Sequence, residues 1–276
     1  MISAKVIADT IHNGHRITSL QLVMPRFILA QYNTHRVFSR STASSRAIPT
    51  AKLIEQVRTN YVQPVQWGAN KAGMQSEQEL EAQEIEKAKE IWCRAAHAAA
   101  DFAEQMAALG LHKQTANRII EPYMWAHTIV TSTEWENFLK LRIDDAAQPE
   151  IQLLAKEMKA AIDNSVPKES RYHLPYITDD EIGTYQKEKG FLSNEVNNAT
   201  FEHFAPISAA RCARVSYLNH DQSKPDFQKD MELAKRLLEH HHYSALEHPA
   251  RAAWYCNLQE TRNFTGWAQY RAIIGG

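Results

Sequence analysis

Residues 31–46, QYNTHRVFSRSTASSR, concentrate the chain's polar chemistry. Gln31 and His35 are four positions apart and would share one face of a helix. Arg36, Arg40 and Arg46 place three guanidinium groups within eleven positions, and Ser39, Ser41, Ser44 and Ser45 add four hydroxyls. Guanidinium forks grip phosphate oxygens in pairs, and hydroxyls with loop N–H groups complete an anion cradle. The plainer reading of the same residues is a solvated turn with surface arginines.

Two further groupings carry chemistry. Residues 239–248, EHHHYSALEH, put histidines beside carboxylates, which suggests a metal site. Their spacing fits no HExxH pattern and pairs no ligand with a general base, so a polar helix C-terminus, where histidine suits the dipole, is the plainer account. Arg118 precedes the apolar pair Ile119-Ile120, and Arg142 follows Leu139 and Leu141. An arginine inside an apolar run is an internal salt bridge, the commoner outcome, or a ligand clamp, and Asp144, Asp145 and Glu150 are near enough to serve as partners.

Composition narrows what these groups can serve. Glycine occurs only 9 times, and neither GxGxxG nor a GxxxxGK loop is present. A bound nucleotide would therefore be met by side chains such as Arg, Ser and His rather than by a glycine-rich backbone loop. The 276 residues are 44% hydrophobic and 23% charged, which excludes disorder as the main state. Lys+Arg 31 against Asp+Glu 32 leaves a net charge of −1, too little for coating a nucleic-acid polymer. No apolar run approaches the roughly 20 residues that span a bilayer, and the first residues do not read as a signal peptide. Cys93, Cys212 and Cys256 are odd in number and far apart, which argues against a disulfide framework or zinc ribbon and points to a reducing, cytoplasmic setting.

The elements that must position these groups read as follows. Ile2, Ala4 and Val6 alternate, as do Thr18, Leu20 and Leu22, around Asn13-Gly14, a hairpin signal. Pro25 opens a short helix to about His35, followed by a loop over residues 39–46. A helix is expected over residues 50–61, then loop over 62–75. Ser76 with Glu79 reads as a capping box opening a long helix through Leu80, Ala88, Ile91, Ala95, Phe102 and Met106, stopped by Gly110. Thr131 with Glu134 reads as a second box, opening a helix through Trp135, Phe138 and Leu139. Ile151, Leu154, Met158 and Ile162 mark another helix, and Phe227, Met231, Ala234 and Leu238 a further one, with residues 172–198 irregular between them. Ala-Gln-Tyr occurs before an arginine both near residue 31 and near residue 269, a faint echo that chance explains as well as duplication. With no low-complexity linker, the chain reads as one α+β domain over residues 1–276, helices dominating over a modest sheet.

At residues 34–46 the chain resembles the flavin-dependent thymidylate synthases, whose signature is RHRxxSxNxxSxR with a Gln three residues ahead. His35, Arg36, Ser39, Ser44 and Arg46 stand at five of its seven fixed positions, Gln31 lies three before Thr34, and Thr34 and Ser41 replace the first Arg and the Asn. Thr42 stands where the family often has Glu. A second block is similar: Asn117-Arg118-Ile119-Ile120-Glu121-Pro122, then Asn137-Phe138-Leu139-Lys140-Leu141-Arg142 and Ala147-Gln148-Pro149-Glu150-Ile151. A third, Ala213-Arg214-Val215-Ser216-Tyr217 followed by His242-Tyr243-Ser244-Ala245-Leu246-Glu247-His248, resembles the family's AARVSF and GHxTxxEH. In the family this third block comes first; here it comes last, as in a circular permutation, which is cheap where termini lie close together on a surface.

The resemblance implies an α+β fold with helices on a small mixed or antiparallel sheet, and a homotetramer with shared active sites. It implies FAD, NADPH and methylenetetrahydrofolate as cofactors, with dUMP or a related pyrimidine nucleotide as substrate. His35, Arg36, Asn137, His242, Ser244 and Glu247 would serve the flavin. Gln31, Ser44, Arg46, Arg118 and Arg142 would hold the nucleotide, with Arg142 and Ser44 catalytic and no metal. The expected reaction is C5 methylation of dUMP to dTMP; the close alternative traps the methylene with water and gives a 5-hydroxymethyl pyrimidine nucleotide. From other classes, a metal-dependent hydrolase built on Glu239, His240, His241, His242 and His248, and a nucleotide-binding protein without turnover, remain open.

Overall fold

The structure, a computed structural model, describes residues 1–73, 76, 78–191, 198–215, 225–253 and 261–275. Ser216, Tyr217 and Cys256 lie outside the described residues.

β1 (Ser3–His12) and β2 (His15–Pro25) form the expected hairpin, paired from Ser3↔Val23 to His12↔His15. Its two loop residues, Asn13 and Gly14, have φ of 48° and 79°, the paired positive values a two-residue hairpin loop requires. Asn and Gly are the residues that tolerate them. After Pro25 the chain makes one 3-10 turn (Arg26–Ile28) and one α turn, α1 (Leu29–Tyr32), so the helix expected to reach His35 stops earlier.

The second half of the sheet differs from the sequence reading. Residues 39–46 begin not as loop but as β3 (Ser39–Thr42). After α2 (Thr50–Asn60), α3 (Ala82–Ala108) and the short α4 (Lys113–Ala116) comes β4 (Trp125–Ser132), which the sequence reading missed. Thr131 is a residue of this strand and not a helix cap; α5 (Glu136–Ile143) starts without a side-chain cap. Next are α6 (Pro149–Asp163), β5 (Lys168–Glu169) and β6 (Tyr172–His173). The five strands order as β3-β4-β2-β1-β5, antiparallel except for the parallel β1–β5 pair.

Both faces of this sheet are covered. Leu20, Leu22 and Met24 of β2, with Ala126 and Val130 of β4, pack on Phe138 of α5 and on Ile151, Leu154, Met158 and Ile162 along α6. The opposite face meets the rest of the chain. That is α7 (Asp179–Glu188), α8 (Asn198–Arg214), α9 (Phe227–Glu239), and an antiparallel sheet of β6 with β7 (Ala250–Ala252) and β8 (Trp267–Gln269), closed by α10 (Tyr270–Ile273). Ile129 of β4 lies there against Tyr176, Cys212, Val215 and Ala245, and Ile17 of β2 against Trp267. The fold is α+β, helices on a small mixed sheet.

Two helix readings are corrected. Ser76 is no cap: its hydroxyl lies 2.8 Å from Ala69 O and 2.9 Å from Gln78 O, with one hydrogen to share between them, and α3 starts at Ala82. The α3 face packed on α2 is Ala96, Ala99, Ala100 and Ala103, whereas Ile91 and Phe102 are 58% and 54% exposed. With exposed Ala95, Ala98, Gln105 and Leu109 they form a stripe of alternating four- and three-residue steps, the spacing of a helix-pairing seam. Within residues 172–198, read as irregular, Thr178 and Glu181 build a reciprocal capping box that opens α7.

A buried ion cluster ties α7, α8 and α9 together. Arg211 donates to Asp230 Oδ2 at 2.9 Å, to Glu181 Oε1 at 2.6 Å and to Tyr176 O at 2.7 Å, while Arg214 pairs with the other oxygen of Asp230. Asp230 is fully buried. Asp230→Ala leaves buried guanidinium charge uncompensated, and urea unfolding should show a loss of about 3–5 kcal/mol. A loss below about 1 kcal/mol would mean that the cluster rearranges around water.

Candidate active site

Strand β3 is the sheet edge, and its alternation sends the motif residues to opposite faces. Arg40 points toward α1, where Nη1 donates to Asn33 O and His35 O at 2.9 Å each. That contact holds the turn after α1, and with it His35. His35 is buried, edge-on to Phe138 at 4.7 Å between ring centres. Arg142, 107 positions later on α5, donates from Nε to His35 Nε2 at 2.9 Å. Arginine only donates, so Nε2 must carry the lone pair and Nδ1 the hydrogen. Desolvation first, then the charges of Arg142 and Arg40, push the His35 pKa down from its ordinary 6.5. The imidazole is a neutral acceptor that aims the guanidinium. The Nη groups of Arg142 have no partner among the described residues.

A second cluster lies past the end of β3. Glu121 collects Arg118 at 2.8 Å, Arg26 at 3.2 Å and the Ser45 hydroxyl at 3.1 Å, and the buried Asn117 donates to Ser45 O at 2.8 Å. The 44–46 turn and Arg118 are thus held together. For Arg118 the partner is Glu121, and Glu150, read as a neighbour for Arg142, instead accepts from Val65 N at 2.9 Å. Arg36, Arg46 and Ser44 are exposed, and neither arginine has an ion-pair partner among the described residues. Gln31 Oε1 is buried with no hydrogen-bond partner among the described residues, as is Asn117 Oδ1. Buried carbonyl oxygens left unpaired cost stability unless something binds there.

The third cluster is on the opposite face. His242, Ser244 and Glu247 lie in and beside a 3-10 segment, Tyr243–Glu247, packed against β3. His242 and Ser244 are exposed, and Glu247 is bonded to Arg271 at 2.6 Å. Asn137 is exposed on the first turn of α5. No contact joins Arg142 to Arg46 or Arg118 among the described residues of one chain. The C-terminal block nonetheless reaches the N-terminal motif directly, because His248 Nε2 lies 3.0 Å from Ser41 Oγ.

The histidine-rich stretch does not gather into one centre. His241 bonds Tyr243 OH at 2.5 Å, His248 turns into the sheet, and no group of three or more His, Cys, Asp or Glu among the described residues could hold a metal. Burial pushes the Cys212 thiol pKa up, so it is a poor nucleophile. No helix among the described residues is long and apolar enough to cross a membrane.

Sequence reasoning missed Glu121, Asn263 and Gln269. Asn263 donates to Val37 O at 2.7 Å, and Gln269 donates to Ser39 Oγ at 3.1 Å, bracing the inner side of the motif strand. Gln269 belongs to the second Ala-Gln-Tyr, the one available signal. A cavity of about 560 Å³ borders this bracing, lined by His12, His15, Val37, Glu134, Asn263 and Phe264 among others, and none of the expected site residues lines it.

A family model for thymidylate synthase complementing protein matches residues 14–168, from the hairpin turn to the start of β5. No curated protein matches the chain. Two solved structures of the UMP/dUMP methylase PolB from Streptomyces cacaoi, bound with 5-Br dUMP and 5-Br UMP, are similar at 12% and 14% identity. Each covers 59% of this chain and 90% or 89% of its own, at a TM-score of 0.46. The family match takes in the 31–46 motif, Arg118 and Arg142 and spans more than half the chain, so the chain belongs to the thymidylate synthase complementing protein family, the flavin-dependent thymidylate synthases.

Proposed function

We propose that the protein modifies a pyrimidine nucleotide at C5, converting dUMP to dTMP with methylenetetrahydrofolate as carbon donor, NADPH as reductant and FAD as resident cofactor. The observation that carries this reading is the Arg142–His35 contact: a neutral imidazole locks a guanidinium whose outer nitrogens are free to meet a ligand. Nucleotide binding is supported by Arg46, which has no ion-pair partner among the described residues, and by Gln31 Oε1, which has no hydrogen-bond partner among them. Guanidinium and hydroxyl donors suit a phosphate, and a buried amide oxygen suits a base or ribose donor.

The donor set also fits FAD. Arg36 suits its diphosphate, while His242, Ser244, Glu247 and Asn137 offer both hydrogen-bond signs to its ring edge and ribityl hydroxyls. Bound FAD would supply hydride transfer. The chain's own part is electrostatic. Arg142 donates to a uracil carbonyl oxygen, where negative charge grows as C5 attacks the one-carbon unit. Arg46, Arg118 and Ser44 hold the phosphate and fix C5 in place. His35 acts on the nucleotide through Arg142, and it is among the residues that would hold the flavin.

In one chain the Arg142 and Arg46–Arg118 clusters are not in contact, so the reading includes a homotetramer whose subunits complete each other's sites. The exposed stripe of Ile91, Phe102 and Leu109 supports such an assembly. Incubation of the protein with FAD, NADPH, methylenetetrahydrofolate and dUMP, followed by mass spectrometry of the nucleotide, should show a gain of one methyl group. A hydroxymethyl product would move the assignment to the related reaction; no product and no FAD uptake would end it.

A further inference from the structure

Six buried or nearly buried side chains form one unbroken line of hydrogen bonds across the sheet. Thr10 Oγ1 lies 2.9 Å from His173 Nδ1, and His173 Nε2 lies 2.8 Å from Ser19 Oγ. Ser19 Oγ lies 2.5 Å from Thr131 Oγ1, and Thr131 Oγ1 lies 2.8 Å from His248 Nδ1. His248 Nε2 then reaches Ser41 Oγ at 3.0 Å. Each of four neighbouring strands, β1, β2, β4 and β3, gives one hydroxyl from the same face. The two histidines come from the opposite layer and are fully buried, and Ser41, the last hydroxyl, is 8% exposed.

The chemistry of these groups allows only two complete patterns. A neutral imidazole donates from one nitrogen and accepts at the other, and a hydroxyl that accepts from one neighbour gives its single hydrogen to the next. In one pattern Thr10 donates to His173, both histidines carry hydrogen on Nε2, and Ser41 accepts from His248 with its own hydrogen free to point outward. In the other every bond is reversed, both histidines carry hydrogen on Nδ1, and Ser41 spends its hydrogen on His248. Mixed patterns set two hydrogens, or two lone pairs, against each other in a buried site.

We propose that this line is a cooperative donor–acceptor relay, in which the shared tautomer of His173 and His248 decides whether Ser41 gives or takes a hydrogen bond at the edge strand of the active site. His248 and His173 are then positioning residues, acting through Ser41. Inverting the line passes one proton along it: one enters at Thr10, each group hands its hydrogen to the next, and one leaves at Ser41. Both end states are uncharged. That the partner of Ser41 is a bound nucleotide or flavin rests on the proposed function; the relay itself does not.

The test is nitrogen NMR of the histidine side chains in protein labelled with nitrogen-15, which separates protonated from bare ring nitrogens. Thr10→Val removes the oxygen that would accept a hydrogen from His173 Nδ1, so Nδ1 stays bare and both histidines should show hydrogen on Nε2. Ser41→Ala removes the acceptor at the other end, and both should switch to Nδ1. Each variant is nearly isosteric, and circular dichroism confirms that it folds. A His248 that ignores Thr10→Val, a His173 that ignores Ser41→Ala, or opposite tautomers in the unmodified protein overturns the relay. Addition of dUMP or FAD to the unmodified protein is the separate arm. Binding that moves both histidines together supports Ser41 as a ligand contact, and binding that moves neither refutes that role. Failure of both ligands to bind refutes the proposed function while the two variants still decide the relay.

Discussion

Urea unfolding of the protein between pH 7.5 and 4.5 should show stability falling as the solution is acidified, with a slope approaching about 2.7 kcal/mol per pH unit below pH 5.5. The cause is the pair of histidines in the sheet. Burial pushes both His173 and His248 down to about 3 from the ordinary 6.5. Between those values the unfolded chain binds a proton at each histidine and the native state does not. Unfolding therefore takes up two protons, and stability rises with pH across the window and is fully present above 6.5. Each histidine contributes about 1.4 kcal/mol per unit where the unfolded form is fully charged. His35, His127 and His203, also held low by burial, act with the same sign. Asp9 and Glu181 are held below their usual range, so their stabilisation is lost only at more acidic pH, as carboxylates protonate. The interval from 6.5 to 4.5 thus belongs to the histidines. A profile flat over that interval would show that water reaches both imidazoles and that the line of hydrogen bonds is broken.

The same two histidines show where the sequence stops being legible. His248 is visible in EHHHYSALEH, but its neighbours suggest a metal or a helix end, and nothing local says that its ring turns inward to Thr131 and Ser41. His173 lies in a stretch whose polarity reads as irregular. Their partners Ser19 and Thr131 are small polar residues in strands buried on both faces, where the alternation of apolar and polar positions fails. For the same reason β4 escapes notice: Thr128, Thr131 and Ser132 interrupt its apolar pattern, and all three are buried. What local chemistry determines was readable. Asn13-Gly14 gives the hairpin, the spacing of Ile151, Leu154, Met158 and Ile162 gives α6, and Gly110 at φ 82° ends α3. On α3 two apolar faces compete, and only tertiary packing selects the alanine face for α2, leaving Ile91 and Phe102 outside. The site is legible in residue types but not in pairings. Arg118 and Arg142 stand out as arginines in apolar runs; Glu121 lies only three positions beyond Arg118, but His35 becomes the partner of Arg142 only through the fold.

The pairing of Arg142 with His35 carries the largest expected kinetic effect. Arg142→Ala should reduce turnover of dUMP about 10²–10³-fold, the scale for removing one preorganised donor from a developing oxyanion, while FAD uptake is unchanged. Arg142→Lys should restore little, because an ammonium has no planar fork that can donate to His35 and to a carbonyl together. His35→Ala leaves the guanidinium in place without its aim, so the loss should be about 10-fold, within what modest misplacement of a positioned group costs. The pH–rate profile separates this role from a merely structural one. Protonated His35 has no lone pair for Arg142 Nε and repels it, so the unmodified enzyme should lose kcat on the acid side with a midpoint below 6.5, the direction in which burial, Arg142 and Arg40 move the imidazole. His35→Ala should abolish that acid limb while lowering the plateau. Should the limb persist in His35→Ala, another group sets it; should Arg142→Ala keep the full rate, the nucleotide is bound elsewhere, and the transfer of roles from the family motif to this chain fails at its central residue.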